Sequence, residues 1–542
     1  MRLLIRGQAV YDGTGSGPVK CDILVENGLI AETGTIPEMN FQGPVIRGKT
    51  VCPGFIDMHR HADAAVFTQK DFGKTELLQG ITTIVSGNCG ISPAPGAHSF
   101  ADEYYRYIEP VTGHISPGIP RASYKDYREG LQKLGLPLNF GFLAGAGAIK
   151  TAVKGFSKLP FTGEEMAAAQ GHIREAIENG ALGLSFGLMY LPECYSSHDE
   201  MAGMTKAVKD TSGSRGSILC FHIRGEGDSL LESVDEVIRL AEDTGMPVNI
   251  SHFKAAGIKN WQNLIYRAID KIETSRSKGL EITADFYPYD GGSTTIMSLV
   301  PACIQEDTAA AVKTRLEGKS GRDLLRREIS KVHPDWDNMA LSIGWDRIII
   351  SSVILPEHES FCGRDMESLA REEGFDDPVD LLAELISSEE GRTGIIVLSM
   401  DPKDIDTVAA LPWTCLISDS LYGAAANPHP RLNGAFPKFL RDYVYERKLL
   451  SMEKAISKMT SMPAQRMGLK NRGILQKGCA ADILVFDPAE FRDNANYKNP
   501  TAPASGMGTV ILNGEIVFSG GTFNSGIFGS SGGSGGCFVS RL

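Results

Sequence analysis

The sequence predicts an α/β protein: a TIM-like (β/α)₈ barrel, a small β-sandwich domain formed by both termini, and helical insertions. Three observations support this architecture. The middle of the chain alternates short apolar runs with helical patterns, and both ends carry short strand patterns divided by turns. The 542 residues also far exceed the roughly 250 that a barrel alone needs.

The two ends of the chain share a pattern of short strands and tight turns. Strand-like runs lie at residues 3–6, 22–25, 44–47, 480–486, 509–512 and 515–518. The dipeptides Asn27-Gly28 and Asn513-Gly514 favour tight hairpin turns. We expect residues 1–52 and 466–542 to pair into one β domain. Residues 526–536 are rich in Gly and Ser and predict a flexible tail or loop.

Eight apolar runs in the middle of the chain predict the barrel strands. The runs are residues 52–59, 81–86, 138–143, 182–186, 218–222, 248–252, 282–287 and 415–418. Helical patterns such as residues 163–178, 230–244 and 261–276 separate them. This alternation is typical of parallel βα units, and eight such units close a barrel, which we place at residues 53–465.

The barrel segment is longer than eight βα units require, so it must contain insertions. Residues 304–343 and 357–403 are helical and charged, and we expect the insertions there. Residues 348–353 and 395–398 are also strand-like, which leaves the strand count near the end of the barrel open.

The composition excludes several classes of function. The 54 Lys and Arg against 66 Asp and Glu give a net charge of −12, whereas binders of nucleic acid or anionic membranes carry a basic excess. The sequence contains no run of about 18 apolar residues, so we expect no membrane span. Residues 1–10 lack the apolar region of a secretory signal. Ten cysteines are too sparse for a disulfide scaffold. We therefore expect a cytoplasmic protein without nucleic-acid or membrane partners.

Four histidines and one aspartate lie at the ends of predicted barrel strands. They are His59, His61, His222, His252 and Asp419. His59 and His61 are two residues apart and share one face of a strand, at the rim where barrel active sites lie. Each residue alone is better explained by capping, a hydrogen bond or an exposed loop. Together they favour a site for a divalent metal, in which Asp419 can bind metal and accept a proton from water.

Cys89 lies in Gly87-Asn88-Cys89-Gly90, directly after the second predicted strand. Flanking glycines allow a tight turn and a close approach to a ligand. A thiolate beside metal would be deprotonated and could bridge two ions. The alternative is an ordinary buried cysteine, but the position at the same rim as the histidines favours a ligand.

These residues together resemble the N-acyl-D-amino-acid deacylases (D-aminoacylases) of the amidohydrolase superfamily. The resemblance spans nearly the whole chain and rests on residues 53–61, 87–90, 180–188, 222–226, 251–254, 285–289, 418–419, 429–431 and 480–483. Gly87-Asn88-Cys89-Gly90 combined with Ser251-His252-Phe253-Lys254 points to the deacylase branch.

The resemblance implies a metal-dependent barrel that holds zinc. One Zn²⁺ would be held tightly by Cys89, His222 and His252, and a second, weaker position would use His59, His61 and Asp419. Many relatives bridge two metals with a carboxylated Lys from the fourth strand. Residues 181–187 contain no Lys, which favours Cys89 as the bridge. Whether one or two ions bind is left open.

The resemblance also implies a substrate, a small N-acyl amino acid. Lys254, Tyr287 and Arg431 would bind its carboxylate, although surface charges or, for Tyr287, a core ring are the alternatives. Residues 291–300 contain no cation where relatives that prefer D-glutamate carry an Arg. Burying an unpaired carboxylate is costly, so we expect neutral or apolar D-amino acids.

The expected reaction is zinc-dependent hydrolysis of the amide bond, with Asp419 as the catalytic proton shuttle. Ala146 and Lys150 stand where relatives have His and Arg, which puts substrate positioning in doubt. Two alternatives remain: a cyclic-amide hydrolase of the hydantoinase or dihydropyrimidinase kind, and a non-catalytic scaffold on the same fold. The sequence leaves the oligomeric state open.

Overall fold

The computed structural model of the chain describes residues 2–39, 41–213, 216–301, 303–305, 309–333, 336–423, 426–524, 526 and 535–541. Its strands, β1 to β20 in chain order, are Arg2–Val10, Val19–Glu26, Leu29–Gly34, Val45–Pro53, Phe55–Asp57, Ile81–Ser86, Asn139–Phe142, Ala144–Gly145, Gly183–Gly187, Ile218–His222, Val248–Ile250, Ile282–Phe286, Gly292–Thr295, Ile348–Ser352, Gly394–Val397, Thr414–Leu416, Ile483–Phe486, Thr509–Leu512, Glu515–Ser519 and Thr522–Phe523.

The helices surround these strands. In chain order, α1 to α18 are Ala65–Thr68, Lys74–Leu78, Ala101–Thr112, Tyr124–Lys133, Ala146–Lys154, Gly163–Glu178, His198–Ser212, Leu230–Thr244, Leu264–Ser277, Ala309–Glu317, Lys319–Ile329, Met339–Ile343, Met366–Glu372, Pro378–Ser388, Pro402–Ala410, Arg431–Phe439, Met452–Met459 and Ser461–Met467. Within the described part of the chain, none of them has the length and apolar character needed to span a membrane.

Parallel strands form the barrel, as the sequence predicts. One arc runs β5-β6-β7 and the other runs β8-β9-β10-β11-β12-β16. The third barrel strand breaks at Leu143 into β7 and β8. A parallel bridge between Arg60 and Ser420 joins the first and last strands. There the amide of Asp419 donates to the carbonyl of His59 over 3.0 Å, so the closure places predicted site residues side by side.

Strands from the two ends of the chain share one sheet, ordered β20-β19-β18-β17-β4-β1-β2-β3. Strand β4 is the junction, because it pairs with β1 in parallel and with β17 in the antiparallel sense. The sheet encloses an apolar cluster of its own that includes Leu3, Ile23 and Ile483. The fold class is therefore as predicted, and the boundaries at residues 52 and 466 stay predictions.

The Gly/Ser-rich segment 526–536 lies mostly outside the described residues. The residues that follow it pack against the barrel. The amide of Phe140 in β7 donates to the carbonyl of Cys537 over 2.9 Å, and the amide of Val539 donates back to Phe140 over 2.9 Å. The segment is therefore followed by chain that is fixed to the third barrel strand.

The insertion between β12 and β16 is one unit with its own core. Strands β13, β15 and β14 form an antiparallel sheet. Helices α10 to α14 pack against it around buried residues such as Ile296, Leu325 and Leu385. The strand-like runs near residues 350 and 396 are β14 and β15, which pair with each other. They belong to the sheet of the insertion and are not barrel strands. The two predicted helical insertions are parts of this single unit.

Candidate metal centre and active site

Six side chains converge where the barrel strands end. Their ligand atoms lie within 4.8 Å of one another in three overlapping groups: His59, His61 and Cys89; Cys89, His222 and His252; and His59, His252 and Asp419. The Cys89 Sγ lies 3.3 Å from the His59 Nε2 and 3.5 Å from the His252 Nε2. The Asp419 Oδ1 lies 3.3 Å from the His59 Nε2 and 3.4 Å from the His61 Nε2. The structure therefore brings every predicted ligand together, with Cys89 between the two predicted subsites.

The backbone turns sharply at three of these residues. Cys89, His252 and Asp419 have φ angles of 54°, 37° and 50°. This left-handed conformation is unfavourable for residues other than glycine and persists only where the surroundings impose it. All three residues follow closely after a barrel strand. The turns thus occur at three of the residues whose ligand atoms converge at the mouth of the barrel.

The glycines around Cys89 are required by close packing. A Cβ at Gly87 would lie 2.0 Å from the Leu143 carbonyl oxygen, and one at Gly90 would lie 1.7 Å from the Glu193 Oε2. Both glycines also have positive φ angles, of 77° and 72°. Gly87 and Gly90 therefore let the Cys89 loop fold back against the third and fourth barrel strands.

A buried cation fixes the segment that carries His59 and His61. Arg60 lies between them and is fully buried, and its guanidinium contacts Tyr422, Asp57 and Glu76, none of which is a predicted ligand. Its Nη1 donates to the Asp57 Oδ2 over 3.2 Å, and its Nη2 donates to the Glu76 Oε1 over 2.7 Å. This paired charge anchors the strand end.

Two acids that sequence reasoning assigned no role support His252. Asp285, at the end of β12, accepts from the backbone amide of His252 over 2.5 Å and from the Asn249 Nδ2 over 2.6 Å. Glu226 lies 2.8 Å from the His252 Nδ1 through its Oε1. Both acids fall within the motifs of the resemblance. That membership and their position near strand ends are the sequence signals that could have marked them.

Three of the four imidazoles and Asp419 have protonation states that suit metal ligation. Burial disfavours the charged form of His59, but the charges of Asp419 and Asp285 override it and raise the pKa of His59. Burial lowers the pKa of His61 to about 4 and lowers the pKa values of His222 and His252, so these imidazoles stay neutral. Burial disfavours the ionised form of Asp419, but the charge of Arg431 overrides it and holds the pKa of Asp419 well below its usual range. Burial raises the pKa of the Cys89 thiol well above its ordinary value, and a bound cation reverses such an effect.

The donor set fits Zn²⁺. One thiol, four imidazoles and one carboxylate are the ligand types that zinc accepts. The Nε2 of His222 contacts the Met189 sulfur, whereas its buried Nδ1 has no hydrogen-bond partner among the described residues, which is costly unless a ligand is bound. His222 also stacks edge-on against His252, with ring centroids 4.5 Å apart. A metal site requires several ligand atoms without other partners close together, and these ligand atoms lie within 4.8 Å of one another in each group.

A cavity of about 840 Å³, including the part open to solvent, lies beside these ligands. Its wall contains Lys254, Tyr287 and the apolar side chains Ile91, Val111, Met189, Met339, Val397 and Leu421. Met339 and Val397 belong to the insertion, so the insertion covers part of the cavity. Lys254 is the one Lys or Arg among its described lining residues.

The predicted carboxylate-binding residues occupy two environments. The Lys254 Nζ lies in the cavity wall, 2.5 Å from the Glu226 Oε1. The Arg431 Nη1 lies 2.8 Å from the Asp419 Oδ2, and its guanidinium lies 4.6 Å from the centre of the Tyr287 ring. Arg431 is buried and is not part of the cavity lining. In this structure, Arg431 is the partner of Asp419.

The replaced residues Ala146 and Lys150 belong to α5, behind the Cys89 loop. The Lys150 Nζ donates to the Ser196 Oγ over 2.9 Å and lies 3.4 Å from the Glu200 Oε1. The Glu193 carboxylate lies near the N-terminus of α5 and accepts from the Gly187 amide over 3.0 Å. The Glu193 carboxylate packs directly against Gly90, where it occupies the position that a Cβ would take. Glu193 therefore supports the loop that carries Cys89.

Known proteins are similar to this chain in sequence and in fold. The model of the Amidohydrolase family matches residues 46–317 and 377–518. This chain belongs to the amidohydrolase family. The stretch between the two matched parts, residues 318–376, falls inside the insertion.

Curated relatives and solved structures show which members of the family this chain is similar to. A D-aminoacylase of Alcaligenes xylosoxydans xylosoxydans is 30% identical over 95% of this chain and 94% of its own length. An N-acyl-D-glutamate deacylase of the same organism is 29% identical over 95% and 93%. The zinc- and phosphonate-bound N-acyl-D-glutamate deacylase of Bordetella bronchiseptica superposes with a TM-score of 0.81 at 28% identity, covering 100% of this chain and 99% of that one. The L-hydantoinase of Arthrobacter aurescens, at 16% identity, a TM-score of 0.51 and 99% coverage of both chains, shows the shared fold alone.

The buried carboxyl of Glu193 predicts that the stability of the folded protein depends on pH. Burial raises its pKa to about 8 from the ordinary value of 4.5. The folded state thus binds this proton more tightly than the unfolded state, so wild-type stability falls as pH rises through this interval. Glu193→Gln cannot ionise, and its carbonyl can still accept from Gly187. We expect the melting temperature of the variant, minus that of the wild type, to rise with pH and level off above about 8.

Thermal melts across this pH range check the Glu193 prediction. Glu164→Gln, at an exposed position at the start of α6, is the control and should show no such rise. A melting-temperature difference for Glu193→Gln that stays constant with pH would contradict the assignment of a buried, titrating carboxyl to this position.

Proposed function

We propose that this chain is a zinc-dependent hydrolase of the amide bond of N-acyl-D-amino acids. The products are a carboxylate and a free D-amino acid. The observation that carries the proposal is the Cys89 thiol, 3.3 Å from His59 and 3.5 Å from His252, at the centre of a buried donor set. Similarity to D-aminoacylases and N-acyl-D-amino-acid deacylases over nearly the whole chain supports the same assignment.

The ligands divide into two proposed positions. Cys89, His222 and His252 would hold one zinc tightly, and His59, His61 and Asp419 would form a weaker second position. The short distances from Cys89 to both sets support its role as the shared ligand. Zinc, when bound, polarises the amide carbonyl and lowers the pKa of water to about 7.

Asp419 is placed to move the proton. Its Oδ2 is held by Arg431, which leaves the Oδ1 directed at the two imidazoles of the first strand end. Because its pKa is low, Asp419 enters the reaction ionised and can accept a proton from the attacking water. Asp419 then donates that proton to the amine nitrogen as the C–N bond breaks, since an amine leaves poorly unless it is protonated.

Lys254 and Tyr287 support binding of the substrate carboxylate. Both line the cavity, and Lys254 supplies a positive charge there. Arg431 is the third residue proposed for this carboxylate. Its Nη1 lies 2.8 Å from the Asp419 Oδ2, whereas its buried Nε has no hydrogen-bond partner among the described residues, and a guanidinium has enough donors for two carboxylates. We therefore propose that Arg431 orients Asp419 and, with Lys254 and Tyr287, binds the substrate carboxylate.

The alternatives fit less well. A hydantoinase-like enzyme would normally carry a bridging Lys on the fourth barrel strand, but β9 has the sequence Gly-Leu-Ser-Phe-Gly. A non-catalytic scaffold has no need for a complete donor set, and all six proposed ligands are present and converge. The net charge of −12 further favours a small-molecule enzyme without nucleic-acid or membrane partners, and the sparse cysteines favour the cytoplasm.

The first test replaces the proton shuttle. Asp419→Asn keeps the shape of the side chain but cannot take up the proton from water. We expect the variant to retain about one zinc per chain and to lose about 10²–10⁴-fold in kcat. Metal analysis of purified protein and steady-state kinetics on an N-acetyl-D-amino acid measure the two quantities. Full activity in Asp419→Asn would refute the shuttle.

The second test concerns the side chain of the substrate. The apolar cavity wall and the absence of cations from residues 291–300 offer no partner for an acidic side chain. We expect kcat/KM for N-acetyl-D-methionine and N-acetyl-D-leucine to exceed that for N-acetyl-D-glutamate by about tenfold or more. The matching L-amino acids, assayed with added zinc, are the controls. A preference for the D-glutamate derivative would overturn the side-chain assignment while leaving the chemistry intact.

A further inference from the structure

Glu226 joins two parts of the site that have different tasks. It lies in the loop that follows β10, and its Oε1 contacts both the Nδ1 of His252, at 2.8 Å, and the Nζ of Lys254, at 2.5 Å. His252 is a proposed metal ligand, whereas Lys254 is a proposed substrate-binding cation. One carboxylate oxygen therefore determines where both side chains stand.

The contact with His252 also determines which ring nitrogen can bind metal. The His252 Nδ1 lies 2.8 Å from the Glu226 Oε1 and 2.9 Å from the Lys254 Nζ. Because an ionised carboxylate only accepts hydrogen bonds, the contact with Glu226 requires the tautomer whose Nδ1 carries the proton, and the Lys254 ammonium then donates to Glu226 and not to the ring. The lone pair is then on the Nε2, which is the atom that lies 3.5 Å from the Cys89 Sγ. Carboxylates that hold metal-binding histidines in this way orient the ring and increase its basicity.

The backbone of Glu226 is in turn held by the insertion. The Asp337 Oδ2 accepts from the amides of Glu226 and Gly227, over 2.6 and 2.7 Å. The Asp337 Oδ1 accepts from the amide and the hydroxyl of Ser229, over 3.3 and 3.2 Å. Asp337 lies just before α12, so a single carboxylate of the insertion gathers four donors of this barrel loop.

The loop makes room for Asp337. A Cβ at Gly225 would lie 2.8 Å from the Asp337 Oδ2, and one at Gly227 would lie 3.2 Å from the Asp337 carboxyl carbon. Both Asp337 and Glu226 also line the cavity. The loop and the insertion thus fit together at the point where the insertion covers the site.

We propose that Asp337 and Glu226 form a positioning relay through which the insertion holds His252 and Lys254 in place. This inference rests on the proposed function, because it assigns His252 to zinc and Lys254 to the substrate carboxylate. Neither Asp337 nor Glu226 acts on the reacting atoms. Asp337 fixes the loop backbone, and Glu226 fixes the two side chains.

Zinc affinity tests the relay without an assay of activity. Zinc dissociation constants are measured by chelator competition for the wild type, Glu226→Ala, Glu226→Gln, Asp337→Ala and the double variant Glu226→Ala/Asp337→Ala. We expect Glu226→Ala to weaken zinc binding about 10–100-fold, as the loss of such a carboxylate partner does. Glu226→Gln keeps an oxygen that accepts from the His252 Nδ1 and should recover part of the loss.

The double variant distinguishes a relay from two separate effects. If Asp337 acts through Glu226, Asp337→Ala weakens zinc binding alone but adds nothing once Glu226 is replaced. Kinetics supply a second measure: Asp337→Ala should raise KM by a larger factor than it lowers kcat, because Lys254 is displaced. Thermal melts establish that each variant is folded. If Asp337→Ala does not fold, Asp337→Asn, which keeps one of the two acceptor oxygens, takes its place.

Asp365→Ala is the matched control. Asp365 also belongs to the insertion and accepts from the Ser368 amide over 2.8 Å at the start of α13, so its loss should leave the zinc dissociation constant unchanged. Wild-type zinc affinity in the Glu226 and Asp337 variants, or independent effects that multiply in the double variant, would overturn the relay alone. A wild-type protein that binds no zinc would overturn the proposed function and the relay with it.

Discussion

The crowding of six buried donor side chains at the mouth of the barrel is the constraint on which the rest of the site depends. Imidazoles, a thiol and a carboxylate lie within 4.8 Å of one another in overlapping groups, although burying polar groups without partners is costly. Left-handed turns at Cys89, His252 and Asp419 add backbone strain to this cost, and buried supports such as the ion pairs of Arg60 hold the neighbouring chain in place. A cation at the centre would satisfy what these contacts leave unpaired.

The terminal sheet and the insertion both support residues at the mouth of the barrel. Strand β4 of the terminal sheet leads within two residues into β5, the barrel strand that precedes His59 and His61. The Gly54 amide at this junction donates to the Asp482 carbonyl over 2.8 Å, which ties the first barrel strand to the C-terminal half of the sheet. The insertion acts from the other side, where Asp337 contacts the loop after β10. The terminal sheet therefore supports the strand that precedes His59 and His61, and the insertion supports the loop that follows His222.

Much of this was accessible from the sequence because parallel barrel strands are buried on both faces and appear as short apolar runs. The polar residues that end those runs must then meet at one rim, which is how His222 and His252 could be predicted together. The insertion was harder, since β14 and β15 look like barrel strands until their pairing is seen. Glu226 and Asp337 could not be linked, because 111 residues separate them and only tertiary packing joins them. The ion pair of Arg431 with Asp419 was likewise a tertiary contact.

The central claim is that Cys89 is a metal ligand, and cobalt spectroscopy tests it most directly. In protein loaded with Co²⁺ in place of zinc, a thiolate ligand produces a sulfur-to-metal charge-transfer band in the near ultraviolet. We expect this band in the wild type and in Cys220→Ser, because Cys220 is just as buried but belongs to none of the donor groups. We expect it to be absent from Cys89→Ser. A band that persists in Cys89→Ser, or that is missing from the cobalt-loaded wild type, would contradict the account.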